Sequence, residues 1–368
     1  MQISGMDYLS IKENTLKGRY IAYEHISNLL KELPDIFKVT EIGRSVNDLP
    51  IHAVTFGQGT HRIFMWSQMH GNESTTTKAI FDLLCAVRAN RKLYGPILKQ
   101  CTIKIIPMLN PDGAKAYTRL NANQVDLNRD AQARSQPESR VLRACFEDFK
   151  PDFCFNLHGQ RTIFNVGATP KPATVSFLAP AFDEKRSVSE SRAESMRLIV
   201  AMNQALQEVI PGQIGRYDDG FNANCVGDTF QMLKAPTVLF EAGHFPGDYG
   251  REETRRLIFL ALVTALDTIS QGTLRLFDKD DYFLIPDNNK LFYDILIRNA
   301  HLINPNRYKA GDAIGLLFRE LLVDGKVVFD AVVEKTGNLQ GYYGHKTFDC
   351  IKENELLSLR SQSFWQLL

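Results

Sequence analysis

Ser67-Gln68-Met69-His70-Gly71-Asn72-Glu73-Ser74 joins an apolar run to an amphipathic segment. The preceding run, Arg62-Ile63-Phe64-Met65-Trp66, predicts a buried strand. Residues 74–89 predict a helix, because apolar side chains recur on one face at Ile80, Leu83, Leu84 and Val87. We therefore expect His70 and Glu73 to project from the turn between a strand and a helix.

His70 and Glu73 have the spacing of two ligands of one zinc ion. Imidazole nitrogen and carboxylate oxygen both bind this cation, and Gly71 allows the backbone to bend between them. By itself the H-x-x-E pattern is weak evidence, because a chain with 8 histidines and 42 acidic residues offers many solvated surface pairs. The metal hypothesis therefore depends on the rest of the chain.

The composition is that of an ordinary soluble globular protein. The chain has 368 residues, of which 44% are hydrophobic and 23% are charged. This length allows one large core and a smaller second unit. The formal net charge is +1, without a basic block and interleaved aromatic residues. We therefore expect neither nucleic acid nor an anionic membrane surface as a partner.

The sequence predicts a cytoplasmic protein. Met1 to Asp7 do not form a charged segment followed by an apolar core, and no apolar run approaches the length of a membrane span. The 6 cysteines are scattered without C-x-x-C spacing. This scatter favours buried free thiols over a disulfide framework, as expected in a reducing compartment.

Strands and helices alternate along the chain. After the strand and helix around His70, residues 103–109 predict a second buried strand that ends in the turn Asn110-Pro111-Asp112-Gly113. A capping-box pattern at 135–138 predicts the start of another helix. This alternation indicates an α/β layer architecture whose site lies at the carboxyl ends of the strands.

Two further strands end in residues that suit a metal site. Residues 153–157 are followed by His158, a natural third ligand because it sits at a strand end like His70. Residues 236–242 predict a fully buried strand that ends in an acid, which makes Glu241 a candidate general base. The alternatives are a core histidine bonded to a backbone carbonyl and a strand-end glutamate paired with a neighbouring arginine.

The loop at 117–130 carries two arginines and several amides. Guanidinium groups match the geometry of carboxylates and keep their charge, so Arg119 and Arg129 are suited to anionic or carbonyl oxygens. The alternative is a solvated loop with surface ion pairs.

The sequence changes character after residue 272. Leu274-Arg275-Leu276-Phe277 and 282–286 resemble short strands, and 323–329 predicts a hairpin turning at Asp324-Gly325. We therefore predict two domains, 1–272 and a small β-rich domain at 273–368. The second domain offers no obvious ligand cluster, and it either shapes the cleft or forms a homo-oligomer.

Together these residues resemble the zinc carboxypeptidases of the carboxypeptidase A type. The resemblance implies an α/β fold with a mixed sheet flanked by helices, which the smaller β-rich domain predicted above would follow. Its features, in family order, are Ile42-Gly43-Arg44-Ser45 with Leu49-Pro50-Ile51, His70-Gly71-Asn72-Glu73, Asn110-Pro111-Asp112-Gly113, Arg119, Asp126-Leu127-Asn128-Arg129, Leu157-His158 and Phe240-Glu241.

The resemblance also implies a cofactor and the reacting groups. One zinc ion per chain would be held by His70, Glu73 and His158. Glu241 would be the general base, and Arg119 would lie beside the scissile carbonyl.

The remaining roles concern the substrate. The resemblance implies that Asn128 and Arg129 grip its terminal carboxylate, and Tyr217 is the nearest candidate for the tyrosine that caps it. Tyr217 lies further upstream of the glutamate strand than the family leads us to expect. The H-G-N-E and T-R-x-N patterns look closer to murein tripeptide amidases, and partly to aspartoacylase-like deacylases, than to digestive carboxypeptidases.

Several interpretations stay open at this point. The first is a zinc metallocarboxypeptidase that hydrolyses the C-terminal amide bond of short peptides, with a two-metal variant recruiting Glu241 and His244. The second is a deacylase of N-acyl amino acids that uses the same zinc site. The third is an inactive relative that serves as a binding module. Both enzymes would require a substrate with a free carboxylate.

Overall fold

The computed structural model describes residues 8–368, so the sequence features at Met1 to Asp7 lie outside the described residues. Within this range the strands are β1 (Lys38–Arg44), β2 (Pro50–Gly57), β3 (His61–Ser67), β4 (Cys101–Ile106), β5 (Phe153–Gly159), β6 (Asn165–Val166), β7 (Val175–Leu178), β8 (Ile214–Arg216), β9 (Thr237–Ala242), β10 (Asn288–Asn289), β11 (Phe292–Arg298), β12 (Ala313–Val323), β13 (Lys326–Gly337) and β14 (Tyr343–Asp349). The helices are α1 (Tyr8–Ile11), α2 (Tyr23–Lys31), α3 (Thr75–Ala89), α4 (Arg91–Gln100), α5 (Pro111–Ala116), α6 (Pro137–Phe149), α7 (Glu190–Gln207), α8 (Val226–Met232), α9 (Glu252–Ser270) and α10 (Glu353–Arg360).

Across this part of the chain, every helix is too short or too polar to cross a bilayer.

The main sheet has eight strands in the order β1-β2-β4-β3-β5-β9-β7-β8. Its centre is parallel, because β4, β3, β5 and β9 pair in the same direction. The pairs β1 with β2, β2 with β4, and β7 with β9 are antiparallel. The sheet is therefore mixed, as the resemblance implies.

Both faces of this sheet are covered by helices. Alternate residues of β3 show this, because Ile63 and Met65 belong to one buried cluster while Phe64 and Trp66 belong to another. The first cluster includes side chains from α3, α7 and α9, and the second includes side chains from α6 and α8. Successive strand residues point to opposite faces, so a strand that is apolar throughout must be buried on both sides. The predicted fold class is confirmed.

A separate sheet follows in the C-terminal part of the chain. It has the order β13-β12-β11-β14, and β12 and β13 form a hairpin around Asp324-Gly325 as predicted. Its core is a cluster of its own, which includes Ile295, Ile297 and Leu316. The predicted boundary between residues 272 and 273 stays a prediction.

Two of the predicted strands in this region are wrong. Residues 274–277 and 282–286 lie instead in and around short 3-10 helices at Leu274–Leu276 and Lys279–Leu284. Tyr282 is fully buried in the core of the main sheet, where its hydroxyl accepts a hydrogen bond of 3.2 Å from the Ala179 N–H. Short apolar runs do not distinguish a strand from a helical turn, and packing against the main core decides this one.

Two local predictions also need correction. Asn110-Pro111-Asp112-Gly113 begins helix α5 and is not a free turn, because the Asn110 side chain accepts a bond of 2.8 Å from the Gly113 N–H. The predicted capping box before α6 is absent, since the Ser135 hydroxyl donates to Asp130 at 2.8 Å instead. All six cysteines are free, as the sequence predicts.

Candidate metal centre

The turn that carries His70 is braced by the start of α5. The Asn110 side chain donates a hydrogen bond of 3.1 Å to the Met69 carbonyl, next to His70. Gly71 packs so closely against α5 that a Cβ atom there would lie 1.9 Å from the carbonyl carbon of Gly113. Glycine is therefore required for this close approach of two backbone segments.

His158 and Glu241 lie side by side at the carboxyl ends of β5 and β9. The two strands are parallel, and the residues are direct register partners. Only 2% of His158 and 7% of Glu241 is exposed. The strand β3, which leads to His70, pairs with β5 on its other side. Parallel strands thus deliver these side chains to one edge of the sheet.

Three side chains converge on a common point. The Nδ1 atoms of His70 and His158 are 3.1 Å apart. The Glu73 carboxylate approaches both rings, with Oε1 at 2.9 Å from His70 Nδ1 and Oε2 at 3.1 Å from His158 Nδ1. These ligand atoms all lie within 4.8 Å of one another. The structure therefore brings together the three residues predicted to bind metal.

These separations fit a tetrahedral zinc site. At metal–ligand distances of about 2.0–2.1 Å, adjacent tetrahedral ligand atoms lie about 3.3 Å apart, close to the spacings between the two rings and the carboxylate. Two nitrogen donors and one oxygen donor form the donor set of many catalytic zinc sites. Among the described residues, Glu241 Oε2 is one of the buried atoms without a hydrogen-bond partner, and it lies in the same cleft. Such an orphaned atom is consistent with a site built for a further group.

The protonation states of His158 and Glu73 also suit a metal, whereas that of His70 in the metal-free protein does not. Burial lowers the pKa of His158, which favours the neutral imidazole that a metal needs. Burial alone would raise the pKa of Glu73, but the charge of His70 and the hydrogen bonds with both histidines hold it below its usual range. Burial would lower the pKa of His70, yet the Glu73 charge and a hydrogen bond to Asp126 raise it.

Asp126 contacts the candidate ligand His70, and the sequence analysis gave it no role. Its Oδ1 atom lies 3.0 Å from Nε2 of His70, the ring nitrogen that faces away from the metal position. The same carboxylate binds the side chain of Arg119 at 3.1 Å. A carboxylate behind a metal-binding histidine fixes the tautomer and orientation of the ring. The signal was present in Asp126-Leu127-Asn128-Arg129, of which only the last two residues received a role.

Asp126→Asn is expected to weaken zinc binding by about 10- to 100-fold, because the amide no longer presents a charged acceptor to His70. Competition with a chromophoric chelator measures the affinity. Asp218→Asn is the matched control, since Asp218 is exposed and lines the same cleft. Equal zinc affinities of the two variants would contradict the role given to Asp126.

Arg119 lies at the rim of the ligand cluster. Its Nη1 atom is 3.4 Å from Oε1 of Glu73, and its Nε and Nη2 atoms both approach Asp126. The side chain is 46% exposed, so it can move toward a substrate carbonyl. Its predicted place beside the scissile carbonyl stays a prediction.

Asn128 and Arg129 line the same cleft in different ways. Asn128 is buried, and its Oδ1 atom accepts a hydrogen bond of 3.2 Å from the Val226 N–H. Arg129 is exposed and donates to the Asn128 carbonyl at 3.0 Å. Within residues 8–368, no carboxylate forms an ion pair with Arg129. Its charge is thus available to an anionic ligand.

Tyr217 also lines the cleft, and its ring packs against Phe164 with centroids 5.5 Å apart. Burial raises the pKa of the Tyr217 hydroxyl, and the charges of Glu241 and Glu73 raise it further. The hydroxyl therefore stays protonated and can donate a hydrogen bond. Whether it caps the substrate stays a prediction.

His244 does not join the metal cluster. Its ring is 1% exposed and lies against His345 and Tyr249, with centroids 4.2 and 4.6 Å away. Among the described residues, the group of metal-binding side chains found at this site consists of His70, Glu73 and His158 alone. The two-metal variant therefore gains no support from the position of His244.

Glu241→Gln is expected to stabilise the metal-free protein increasingly as the pH rises. Burial and the Glu73 charge raise the pKa of Glu241 well above its usual value. The folded protein therefore holds a proton that the unfolded chain releases near pH 4.3, and stability falls between that pH and the folded pKa. Thermal unfolding at several pH values measures the difference in Tm. A difference that does not grow above about pH 4.3 would contradict this environment of Glu241.

All the predicted site residues line one cleft of about 860 Å³. Its walls include the three candidate metal ligands together with Arg119, Asn128, Arg129, Tyr217 and Glu241. This volume falls within the range of about 300–1,000 Å³ that is typical of small-molecule sites.

Comparisons with known proteins point to one family. A family model described as zinc carboxypeptidase matches residues 22–231. The probable carboxypeptidase 2 of Arthroderma benhamiae is 30% identical over 115 residues, which are 31% of this chain and 21% of that protein. The gamma-D-glutamyl-L-diamino acid endopeptidase 1 of Lysinibacillus sphaericus is 33% identical over 102 residues, 25% of this chain and 26% of that protein. The chain thus aligns with only about a quarter or less of these relatives.

Solved structures support the fold. A metallo-carboxypeptidase from Burkholderia cenocepacia has a TM-score of 0.54 at 20% identity, with 69% of this chain and 70% of that chain covered. Glu241 and the C-terminal sheet lie beyond residue 231, where the family match ends.

Proposed function

The chain belongs to the zinc carboxypeptidase family, and from this premise we propose that it is a zinc-dependent metallocarboxypeptidase. It would hydrolyse the C-terminal amide bond of short peptides. The observation that carries the proposal is the convergence of His70, Glu73 and His158 beside Glu241, in a cleft that also contains an unpaired Arg129.

The three ligands would hold one zinc ion. When bound, it would supply an electrophilic centre that polarises the scissile carbonyl and lowers the pKa of the attacking water from about 15.7 to about 7. Glu241 would take the proton of that water and later give it to the leaving amine. Its buried position beside His158 suits a carboxyl group that must both accept and return a proton at the reacting atoms.

Arg119 would stabilise the charge that develops on the carbonyl oxygen. Its guanidinium is partly exposed and lies beside Glu73 and Asp126 at the rim of the ligand cluster, within the same cleft as the scissile bond would be. Asn128 and Arg129 would bind the terminal carboxylate, which places the last amide bond of the substrate at the metal. Tyr217 would close over the bound residue.

Arg129→Gln is expected to lower kcat/KM by about a hundredfold for peptides with a free terminal carboxylate, because a charged pair is lost. Peptides with an amidated C-terminus lack this carboxylate and should be affected little by the same change. Steady-state kinetics on matched free-acid and amide peptides measure both effects. An equal loss on both substrates would show that Arg129 does not recognise the carboxylate.

A deacylase of N-acyl amino acids remains the alternative, because it would use the same metal and base. The size of the cleft favours a peptide, since about 860 Å³ exceeds the need of a single acylated residue. The name of the Lysinibacillus relative refers to a bond to a diamino acid. Peptides with a C-terminal diamino acid are therefore included among the test substrates.

A substrate panel tests the proposal. The zinc-loaded protein is incubated with short peptides, including some with C-terminal diamino acids, and with N-acyl amino acids. Mass spectrometry identifies the products. We expect release of single C-terminal residues from the peptides. Cleavage of N-acyl amino acids alone would favour the deacylase, and no cleavage of either class would refute the enzymatic function.

A further inference from the structure

The hairpin of β12 and β13 forms one wall of the catalytic cleft. Residues from both strands line the same cavity as the candidate metal ligands, among them Leu317, Phe318, Glu320, Phe329 and Val332. The hairpin lies at residues 313–337, well beyond the span that the family model matches. The C-terminal sheet therefore adds a wall to the cleft of the family domain.

A half-buried ion pair anchors this wall near the metal corner. Glu320 pairs with Nη1 of Arg19 at 2.9 Å and accepts a hydrogen bond from the Tyr117 hydroxyl. The Arg19 carbonyl in turn accepts a bond of 2.5 Å from the hydroxyl of Ser74, the residue that follows the ligand Glu73. A pair with side chains only 11% and 25% exposed is weakly screened by solvent.

A second anchor lies at the middle of β12. Asp294 of β11 is 1% exposed and accepts hydrogen bonds from the Tyr249 hydroxyl at 2.8 Å, the Phe318 N–H at 2.8 Å and the Thr162 hydroxyl at 3.1 Å. The Tyr249 ring packs against both Phe318 and Phe329, with centroids 5.2 Å away in each case. The wall is thus fixed to the catalytic part of the chain at two separate places.

The hairpin contacts Arg19, Tyr117 and Tyr249, and none of these residues belongs to the proposed carboxylate site. Among residues 8–368, no hydrogen bond, ion pair or ring contact joins the hairpin to Asn128, Arg129 or Tyr217. A peptide held there by its terminal carboxylate would pass the metal and continue toward the hairpin. Bound in this way, the peptide would present the residues on the amino side of its scissile bond to the hairpin.

We propose that the β12–β13 hairpin sets the length of the substrate. It blocks the path of the chain on the amino side of the cleaved bond, so that short peptides fit and long polypeptides are rejected. This inference rests on the proposed carboxypeptidase function and narrows its substrate class to peptides with few residues before the scissile bond.

The test uses a series of peptides that share one C-terminal dipeptide and are extended at the amino end to about ten residues. The longest of them exceed what a cleft of this volume can enclose. The zinc-loaded full chain is compared with Phe329→Ala and Val332→Ala, two independent substitutions that widen the wall. Val328→Ala is the matched control, because Val328 is 41% exposed and lies next to Phe329 outside the cleft lining. Binding of the same peptides to the Glu241→Gln protein by calorimetry gives a readout that does not depend on turnover.

We expect kcat/KM of the native chain to fall by about tenfold or more between the short and long peptides, with a parallel loss of binding. Either widened variant should reduce this ratio, and Val328→Ala should keep it. A flat length profile with normal hydrolysis, or the same ratio in every variant, would overturn the role of the hairpin and leave the proposed function intact. Failure to cleave or bind any peptide would overturn both.

Discussion

Replacing Glu241 with glutamine is expected to lower kcat on a short peptide by on the order of a thousandfold, since general acid–base catalysis contributes about 10² to 10⁴ in rate. Glu241 lies at the end of β9, directly beside His158 in the neighbouring strand. Glutamine has nearly the same shape but cannot take a proton from water or return one to the leaving amine. The loss should therefore appear in kcat, with zinc content unchanged.

The matched control for this substitution is Glu208→Gln, which makes the same chemical change at an exposed position after α7. Kinetics and zinc analysis are carried out on both variants. A Glu241→Gln protein that keeps its zinc and retains near-native turnover would remove Glu241 from the role of base. Loss of zinc from this variant would instead place Glu241 among the metal ligands.

The second large effect is expected for His158→Gln. This residue supplies one of the three converging donors, and its ring is 2% exposed, so no other imidazole can replace it without rearrangement. The variant should bind zinc far more weakly than the native chain. Turnover should fall by on the order of a thousandfold or more, because the activation of the water and of the substrate carbonyl depends on the metal. Metal analysis after dialysis measures the first effect and peptide kinetics the second.

His61→Gln is the corresponding control, since His61 begins β3 at the opposite end of that strand from the site. Thermal unfolding of the metal-free proteins separates a loss of binding from a loss of folding. A His158→Gln protein that binds zinc as tightly as the native chain would exclude His158 as a ligand.

The sequence predicts the metal corner because local patterns determine it. An apolar strand, a turn with His70 and Glu73, and an amphipathic helix occur in immediate succession, and the structure has β3 and α3 at those places. His158 and Glu241 are also predictable, because parallel strands bring their carboxyl ends to one edge. These positions follow from strand periodicity and direction alone.

Contacts across irregular segments are harder to predict. Asp126 reaches His70 from a loop 56 residues away, and no periodic pattern indicates which of its polar side chains turns inward. Glu320 contacts Tyr117, a residue 203 positions away, from a strand whose two charged residues, Arg319 and Glu320, are adjacent and so do not mark one polar face. The 3-10 helices after residue 273 are hard to distinguish from strands, because their apolar runs are short. Leu274 and Tyr282 pack into the main core, while Leu276 and Leu284 are exposed.

The most direct test is a zinc titration of the metal-free protein while hydrolysis of a short peptide is followed. If His70, Glu73 and His158 hold a single catalytic ion, activity should be absent without zinc, rise in proportion to added metal and level off at one equivalent per chain. Full activity without zinc, or no activity at any zinc concentration, would contradict the assignment of this cluster as the catalytic centre.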